Sequence, residues 1–289
     1  MRRLIVAGSV TGAPGVTTTA LAVSAAWPQG VGDGVRPVVV EADPSGGDLM
    51  LRFGLPVAPS LLDVAAEARA PHPGSLLGAA SELPCGVRAV PAVPGRAPCR
   101  EALRLLASEG GRRVLLGDDR DRGTVLLDVG RLTDDVGPVL GTAGDLVLVT
   151  RGGAEPLTQV SVNLPGKNTS AGRLTLAVVG PCSYSAAEIT QTLGVDAVYL
   201  LPWDPRGVAA LTSPKARGLR GGTFRRPPLM RAAQALARLL AQPRERGDAD
   251  RAPRRQRATR GRAGVRDAGS ESWSSADSAA VPAPEDGGS

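Results

Sequence analysis

The sequence predicts a doubly wound α/β domain with a mainly parallel sheet, helices on both faces and a disordered C-terminal tail. Short apolar runs alternate with helical stretches through the first 240 residues. Most of these runs are continuously apolar rather than alternating, which is typical of parallel strands buried on both faces. The first run leads through a glycine-rich turn into a helical segment, and this order is that of a βα unit.

The elements follow from these patterns in chain order. The predicted strands are Leu4–Ala7, Pro37–Glu41, Val87–Val90, Val114–Leu116, Val125–Asp128, Leu146–Thr150, Leu174–Val179 and Ala197–Leu201. The predicted helices lie near residues 18–26, 98–109, 134–143, 156–164, 185–193 and 228–241.

Composition narrows the chemistry available to the chain. Of its 289 residues 42% are hydrophobic but only 2% are aromatic, so valine, leucine, alanine and isoleucine must form the core. His72 is the only histidine and the three cysteines lack metal-ligand spacing, which argues against zinc and histidine chemistry. The glycine-rich turn interrupts the first apolar stretch, and no run approaches a membrane span. We therefore expect no signal peptide, no transmembrane segment and a cytoplasmic location.

Composition also divides the chain into a folded domain over residues 1–242 and a tail over residues 243–289. The tail has almost no large apolar residues and cannot bury enough surface to fold. Residues 244–266 carry nine arginines against three acids, a net charge of +6, whereas residues 267–289 carry five acids and no base. This pattern fits a solvated tail, or a weak, salt-sensitive arm for nucleic acid or an anionic surface through Arg244–Arg266.

The glycine-rich turn over residues 8–19 has the strand–loop–helix context of a phosphate-binding loop. Backbone N–H groups and the positive helix end cradle an anion in such loops. Val16 stands at the position of the usual lysine, and Thr17 stands at that of the magnesium-binding hydroxyl. The alternative is a tight strand-to-helix turn in which Thr17–Thr19 cap the helix.

Two later apolar strands end in acidic residues. Glu41-Ala42-Asp43-Pro44 follows the second strand, and Asp128-Val129-Gly130 follows an apolar strand as a Walker B segment does. A further buried strand is predicted over 145–150. The alternative is that Asp43 and Asp128 are ordinary turn or cap acids.

Together these segments resemble the MinD/ParA group of P-loop ATPases, whose deviant loop reads Lys-Gly-Gly-x-Gly-Lys-Thr-Thr. The corresponding run begins at Thr11 and ends at Thr18, so both lysines of the family are missing, at Thr11 and at Val16. The segment around Asp43 is similar to the first switch, and Asp128-Val129-Gly130 is similar to the second. The resemblance covers nearly all of residues 1–240, and it implies that residues 1–242 form a P-loop nucleotide-binding domain.

The resemblance implies a homodimer with ATP or ADP and Mg²⁺ in each subunit, an unidentified protein partner, Thr17 and Asp128 at the metal, and Asp43 as the catalytic residue. The implied nucleotide-binding residues are Gly12, Ala13, Pro14, Gly15, Val16, Thr17, Thr18, Pro202 and Asp204. Pro202 and Asp204 belong to a strand-end segment that lies beside the base in this family. The alternative is an ordinary loop, in which proline and aspartate are also common.

Without the lysines, the resemblance implies weak or absent ATP hydrolysis and a role in positioning or assembly, either in DNA partitioning or in localising pilus or secretion machinery. The alternative function is that of a nucleotide-free scaffold that binds a protein partner. A small-molecule ligase or kinase of the same superfamily is less favoured, because it also needs the lysine. Arg2, Arg3, Arg131 and Arg151 are the candidates for a substitute cation.

Two further segments admit a structural and a functional interpretation. The segment 228–241 is an amphipathic helix that either docks on the sheet or binds a membrane surface. The favoured prediction is docking, because alanine dominates and no aromatic side chain anchors the helix. Asp118–Arg122 has a metal-like content of acids, but we predict a solvated turn there.

Overall fold

The structure is a computed structural model that describes residues 1–12, 14–29, 35–70, 75–164, 172–213 and 227–242. Within these ranges the strands are β1 Arg3–Ser9, β2 Val38–Glu41, β3 Ser81–Glu82, β4 Arg88–Val90, β5 Thr124–Arg131, β6 Asp145–Arg151, β7 Arg173–Val179 and β8 Ala197–Leu201. The helices are α1 Val16–Ala25, α2 Leu49–Phe53, α3 Leu61–Ala66, α4 Ser75–Gly78, α5 Arg96–Leu106, α6 Glu109–Leu116, α7 Gly137–Leu140, α8 Ala154–Asn163, α9 Ala186–Leu193, α10 Pro205–Thr212 and α11 Pro228–Ala241. Short 3₁₀ turns cover Glu67–Arg69 and Asp134–Val136.

The strands of these ranges form one sheet in the order β3-β4-β2-β5-β1-β6-β7-β8. All neighbouring pairs are parallel except β3 and β4. The strand β1 lies at the centre, with Ala7 in register with Asp128 of β5 on one side and with Val147 of β6 on the other. The carboxyl ends of β1, β2, β5, β6 and β8 therefore meet at one edge, where α/β proteins bind their ligands.

Alternate side chains of the buried strands enter two separate apolar layers. On one face, Leu4 and Val6 of β1 pack with residues of α3, α5, α6, α8 and α9. On the other face, Ile5 and Ala7 pack with residues of α1, α10 and α11. The predicted doubly wound sheet with helices on both faces is confirmed, and burial on both faces explains why its strands are continuously apolar.

The predicted strand over Val114–Leu116 is wrong, because these residues form the last turn of α6. The Ser108 hydroxyl caps this helix by accepting from the Gly111 N–H at 3.1 Å, and the helix ends at Gly117, whose φ is 68°. Val114 and Leu115 are buried against neighbouring helices. A run of three apolar residues is too short to distinguish a buried strand from a buried helical turn.

Other predicted boundaries change for local reasons. The helix near 98–109 is two helices, α5 and α6, separated at Ala107 and Ser108, and the helix near 134–143 is a 3₁₀ turn followed by the short α7. The sequence patterns did not predict α2, α3, α4, α10 or β3, all of which are eight residues or shorter.

The helix α11 is docked against the sheet, as predicted. Leu229, Ala233, Leu236, Ala237 and Leu240 are buried in the layer that also contains α1. Among the described residues, no helix is long and apolar enough to cross a membrane. The predicted tail over 243–289 lies outside the described residues, and the division of the chain after residue 242 stays a prediction.

Candidate functional site

The loop between β1 and α1 ends on a helix terminus whose backbone N–H groups are not capped. The Ser9 hydroxyl fixes the start of the turn by donating to the Thr11 carbonyl at 2.6 Å. Gly15 is the N-cap of α1 with a φ of 100°, a left-handed conformation that favours glycine. Glycine has no side chain that could cap the helix, and among the described residues the first turn of α1 contains no acidic residue. This terminus is therefore electrostatically suited to an anion.

The residues of the predicted loop differ in exposure. Gly12 is exposed with open space around it, Pro14 is buried, and Ala13 lies outside the described residues. Thr17 and Thr18 are half-buried, whereas Val16, at the lysine position, is only 5% exposed and belongs to the apolar layer of α1. The described part of the loop therefore has a buried apolar side chain, Val16, at the position where the resemblance implies a lysine.

Asp128 reaches the same place from the neighbouring strand β5. Its side chain is buried, and its Oδ1 accepts from the Gly130 N–H at 3.1 Å. Its Oδ2 is also buried and has no hydrogen-bond partner of normal geometry among the described residues. The Thr17 hydroxyl is nevertheless close enough to favour the ionised carboxylate. A buried carboxylate oxygen without a partner, beside a hydroxyl, is a donor pair that fits a hard divalent cation such as Mg²⁺.

Burial and two nearby acids favour the protonated form of Asp128. Burial raises the pKa of Asp128 to about 6, against the opposing influence of Thr17 and the Gly130 N–H, and the charges of Asp43 and Asp48 raise it further. No group of three or more potential metal ligands occurs among the described residues. A magnesium ion here would consequently take most of its ligands from phosphate oxygens and water.

Asp43 approaches Asp128 from the loop after β2. Its Oδ1 accepts from the Ser45 N–H at 2.7 Å, which closes a local turn. Gly130 has a φ of 57°, and a Cβ at this position would overlap the Asp43 carboxylate. The two predicted switch segments thus touch each other at Gly130. The structure therefore brings Thr17, Asp43 and Asp128 together at one edge of the sheet.

Glu41 holds the first switch segment in place, a role that the sequence analysis did not assign. Its Oε1 accepts from the N–H groups of Asp48 and Leu49 at 2.8 and 3.1 Å, and its Oε2 accepts from the Ala92 N–H at 2.9 Å. Burial raises the pKa of Glu41 to about 7, although these N–H groups favour the ionised form. A buried acid at a strand end, followed by a glycine-rich turn, is the sequence signal for such a clamp.

The late strand-end segment lies at the same edge, after β8. Asp204 caps two helices, because its Oδ1 accepts from the Gly207 N–H at 2.9 Å and its Oδ2 accepts from the Leu229 N–H at 3.1 Å. Both carboxylate oxygens of Asp204 therefore have a structural role as helix caps, and this role alone would explain why an aspartate follows the strand. Pro202 is half-buried just before them. The contact of either residue with a nucleotide stays a prediction.

The four arginines considered as substitute cations are in different places. Arg2 pairs with Asp121, and Arg3 pairs with Asp145, the first residue of β6. Both therefore lie at the amino edge of the sheet, opposite the loop. Arg151 is at the carboxyl edge, with its guanidinium over the Trp203 ring. Arg131 is exposed at the same edge, in register with Ser9, and has no partner among the described residues.

Comparison with protein-family models and with curated protein sequences finds no match. Solved structures do match. A ParA family ATPase from Chlorobium tepidum TLS is 14% identical, with a TM-score of 0.62 over 83% of this chain and 98% of that one. The septum site-determining protein MinD from Pyrococcus horikoshii OT3, complexed with Mg-ADP, is 20% identical, with a TM-score of 0.61 over 83% of this chain and 96% of that one.

Cobyrinic acid a,c-diamide synthase from Mycobacterium smegmatis, with bound ADP and magnesium, matches with a TM-score of 0.52 and 18% identity, over 83% of this chain and 94% of that one. At these identities the likeness establishes the fold and not the activity. The central position of β1, its loop and the adjacent acidic strand ends agree with this result. The chain has the MinD/ParA-like P-loop fold.

Proposed function

We propose that the protein binds ATP or ADP with Mg²⁺, hydrolyses ATP weakly or not at all, and acts as a positioning or assembly regulator. The observation that carries the proposal is the uncapped terminus of α1 beside the unpartnered Oδ2 of Asp128, with the buried Val16 at the lysine position. The helix terminus and the Asp128 oxygen favour a magnesium-bound phosphate group. Val16 stands in place of the positive charge that usually assists phosphoryl transfer.

Each proposed role rests on the geometry of this edge. The N–H groups after Gly15 bind phosphate oxygens, and the Thr17 hydroxyl and Asp128 bind the magnesium ion. Asp43 orients the attacking water, because it lies against the second switch segment at Gly130. Bound magnesium would neutralise phosphate charge and would relieve the repulsion between Asp43 and Asp128.

The missing lysines account for the weak hydrolysis in this proposal. Phosphoryl transfer depends mainly on positioning and on stabilising negative charge on the transferring group, and a cationic clamp contributes roughly 10³- to 10⁵-fold to its rate. Val16 offers no charge, and Thr11 offers a hydroxyl and no cation. Backbone donors and magnesium bind the nucleotide without supplying this rate enhancement.

The positioning role is proposed from the fold that the chain shares with the ParA ATPase and with MinD, together with a homodimer and a protein partner. Cobyrinic acid a,c-diamide synthase shares the same fold, so the fold alone does not choose between a regulator and a ligase. The lack of both lysines favours the regulator. The second candidate is the nucleotide-free scaffold, which the buried and apolar Val16 favours.

The test is calorimetric titration with Mg-ATP of the wild type, Val16→Lys and Val16→Met. Methionine matches much of the length of lysine without its charge, so it controls for the disturbance of a side chain that is only 5% exposed. We expect wild-type dissociation constants in the micromolar to submillimolar range. The Val16→Lys variant should bind at least about tenfold more tightly than Val16→Met, as a charge-assisted hydrogen bond provides.

Failure of the wild type to bind, in the presence of magnesium, would overturn the proposal in favour of the scaffold. Wild-type turnover as fast as that of an ordinary ATPase would refute weak hydrolysis while leaving nucleotide binding intact. Turnover that depends on a second substrate would support the ligase.

A further inference from the structure

The strand β8 is an outer strand of the sheet, at the opposite side from β3. Among the described residues it pairs only with β7, in a parallel register. Proteins usually protect an outer strand from pairing with another chain by making it very short or by placing charges or proline in it. The strand β3 is protected in this way, because it has two residues and one of them is Glu82. The five residues of β8, Ala-Val-Tyr-Leu-Leu, include neither a charge nor a proline.

The backbone groups that β8 directs away from β7 belong to two residues. The Gly180 N–H donates to the Leu201 carbonyl at 2.8 Å, so Leu201 directs its backbone toward β7. Successive residues of a strand direct their backbone groups to opposite sides. Tyr199 therefore also bonds to β7, whereas Val198 and Leu200 direct their N–H and C=O groups to the open side of the strand. No described residue pairs with these four groups.

The two ends of β8 carry opposite charges on an otherwise apolar strand. Asp196 is exposed just before the strand, and its Oδ2 accepts from the Leu174 N–H at 2.7 Å, which holds the carboxylate at this end. Beyond the other end, Arg206 in the first turn of α10 is exposed and makes no ion pair among the described residues. Two such strands placed antiparallel bring each acidic end to the basic end of the other. This charge arrangement makes the edge complementary to itself.

We propose that β8 pairs antiparallel with β8 of a second copy of the chain, so that the two sheets become one continuous sheet. The register is centred on Tyr199, because Val198 of each copy then lies opposite Leu200 of the other. Each of these two pairs exchanges two N–H···O=C hydrogen bonds, and Tyr199 meets its counterpart as a close pair without such bonds. The arrangement has two-fold symmetry and closes after two copies.

This interface is separate from the nucleotide site. The phosphate loop follows β1, and Asp128 lies on β5, whereas β8 is three strands away from β1 on the opposite side from β5. Pairing at β8 needs no nucleotide, so the proposal does not rest on the proposed function. It covers the exposed side chain of Leu200, which is 43% accessible in the single chain.

Sedimentation velocity of the full chain without nucleotide tests the proposal over a series of concentrations. We expect the 29.5 kDa monomer to be in reversible equilibrium with a dimer. Leu200→Lys should weaken dimerisation at least about tenfold, because it places like charges on the edge and removes two apolar contacts. Arg206→Glu should weaken it less, and Arg112→Glu, on α6, is the control that should not. Circular dichroism shows whether each variant is folded.

Cysteine cross-linking tests the register independently of Leu200. The Cα atoms of a non-hydrogen-bonded antiparallel pair are about 4.5 Å apart, a distance that a disulfide spans. Two Tyr199→Cys chains should therefore become bridged at this position on mild oxidation. Ala197→Cys is the matched control, because position 197 lies opposite Leu201 of the second copy and the two new thiols are roughly 14 Å apart along the strands. Peptide mass spectrometry distinguishes these bridges from those of the three native cysteines.

Three outcomes would overturn the edge pairing. One is a wild type that stays monomeric up to its highest soluble concentration. Another is a dimer that forms only with Mg-ATP, which would belong to the nucleotide site. The third is a nucleotide-independent dimer that Leu200→Lys leaves intact and that Tyr199→Cys does not bridge, since such a dimer uses another surface. The proposed nucleotide binding is tested separately by calorimetry and stands or fails without regard to these results.

Discussion

Arg131 is the candidate cation that would assist the proposed phosphate binding in place of the missing lysines. It follows Gly130, which touches Asp43, and it precedes Leu132, whose N–H donates to the Ser9 carbonyl at 2.8 Å. The side chain therefore leaves the backbone between the base of the phosphate loop and the first switch segment. It is exposed and has no partner within the part of the chain that the structure describes.

We predict that Arg131→Ala weakens Mg-ATP binding by roughly 10- to 100-fold, because a charge-assisted hydrogen bond to phosphate is lost. Calorimetry measures the change. Arg112→Ala is the matched control, since Arg112 is an exposed arginine on α6, on which nothing in the site depends. Equal affinities of the Arg131→Ala variant and the wild type would show that backbone donors and magnesium bind the phosphates alone.

If Asp128 binds magnesium as proposed, the same buried carboxylate favours ligand binding and lowers the stability of the ligand-free protein. Its pKa is raised from 3.8 to about 6 in the folded protein, chiefly by burial. The folded state then binds a proton more tightly than the unfolded state does, so the free energy of unfolding falls as pH rises from about 4 to about 6. Glu41, with its pKa raised to about 7, acts in the same direction over a higher range.

We predict that Asp128→Asn stabilises the ligand-free protein relative to the wild type by up to about 3 kcal/mol at pH 7.5, and far less at pH 4. The same variant should lose magnesium-dependent ATP binding. Urea unfolding at the two pH values measures the first effect, and calorimetry measures the second. Asp119→Asn, on an exposed turn, controls for the loss of one negative charge. A destabilised Asp128→Asn at pH 7.5 would contradict the assignment of an unpartnered buried carboxylate.

Among the elements, α11 packs in the same apolar layer as α1, the helix that follows the glycine-rich loop. Leu236 is fully buried in the layer that contains α1, whereas Ala235, the preceding residue, is exposed. We predict that Leu236→Asp lowers the free energy of unfolding by at least about 3 kcal/mol, because it buries a charge and removes a core side chain. Ala235→Asp adds the same charge to the exposed face and should cost much less. Denaturant unfolding compares the two variants.

A folded Leu236→Asp protein that has only lost affinity for lipid vesicles would instead mean that α11 leaves the domain to bind membranes. The apolar face of α11 would then contact the lipid surface and not α1. Vesicle flotation of both aspartate variants separates these cases.

The sequence predicted the strands that are covered on both faces. It did not predict short elements whose formation depends on contacts with neighbouring elements. Seven of the eight predicted strands, all but Val114–Leu116, are present, because a parallel strand covered on both faces leaves a continuous apolar run. Val114–Leu116 belongs to a helix whose start is decided by the Ser108 cap. The short helix α2 takes its stability from packing, and its local sequence signal is correspondingly weak. The helix α10 does begin with a local signal, Asp204 as the N-cap followed by Pro205, but the predicted helices did not include it.

The candidate site shows the same difference between local sequence signals and contacts that depend on the fold. Thr17, Asp43 and Asp128 were predicted from the loop and strand ends in which they lie, and the structure brings them together at one edge of the sheet. The contacts of Glu41 with Ala92 and of Arg151 with Trp203 join residues about fifty positions apart. Only the sheet order, which brings β2 beside β4 and carries β6 toward β8, places these residues together.

At the scale of the whole molecule, the two halves of the tail carry opposite net charges. The net charge of the chain is +6, and residues 244–266 alone carry +6, while residues 267–289 carry five acids and no base. If the arginine-rich half contacts nucleic acid, the acidic half competes for the same arginines. Such binding is weak, falls steeply with salt, and does not depend on the nucleotide site.

We predict that removal of residues 243–289 abolishes binding to a DNA duplex at low salt, measured by fluorescence anisotropy, and leaves Mg-ATP affinity unchanged. Removal of residues 267–289 alone should strengthen DNA binding, because the arginines lose their competing acids. For the chain that ends at Arg266, the logarithm of the affinity should fall by roughly 0.9 for each phosphate contact per tenfold rise in salt. Equal DNA affinity of all three chains would mean that the tail is only a solvated extension, and that any positioning on DNA uses another surface.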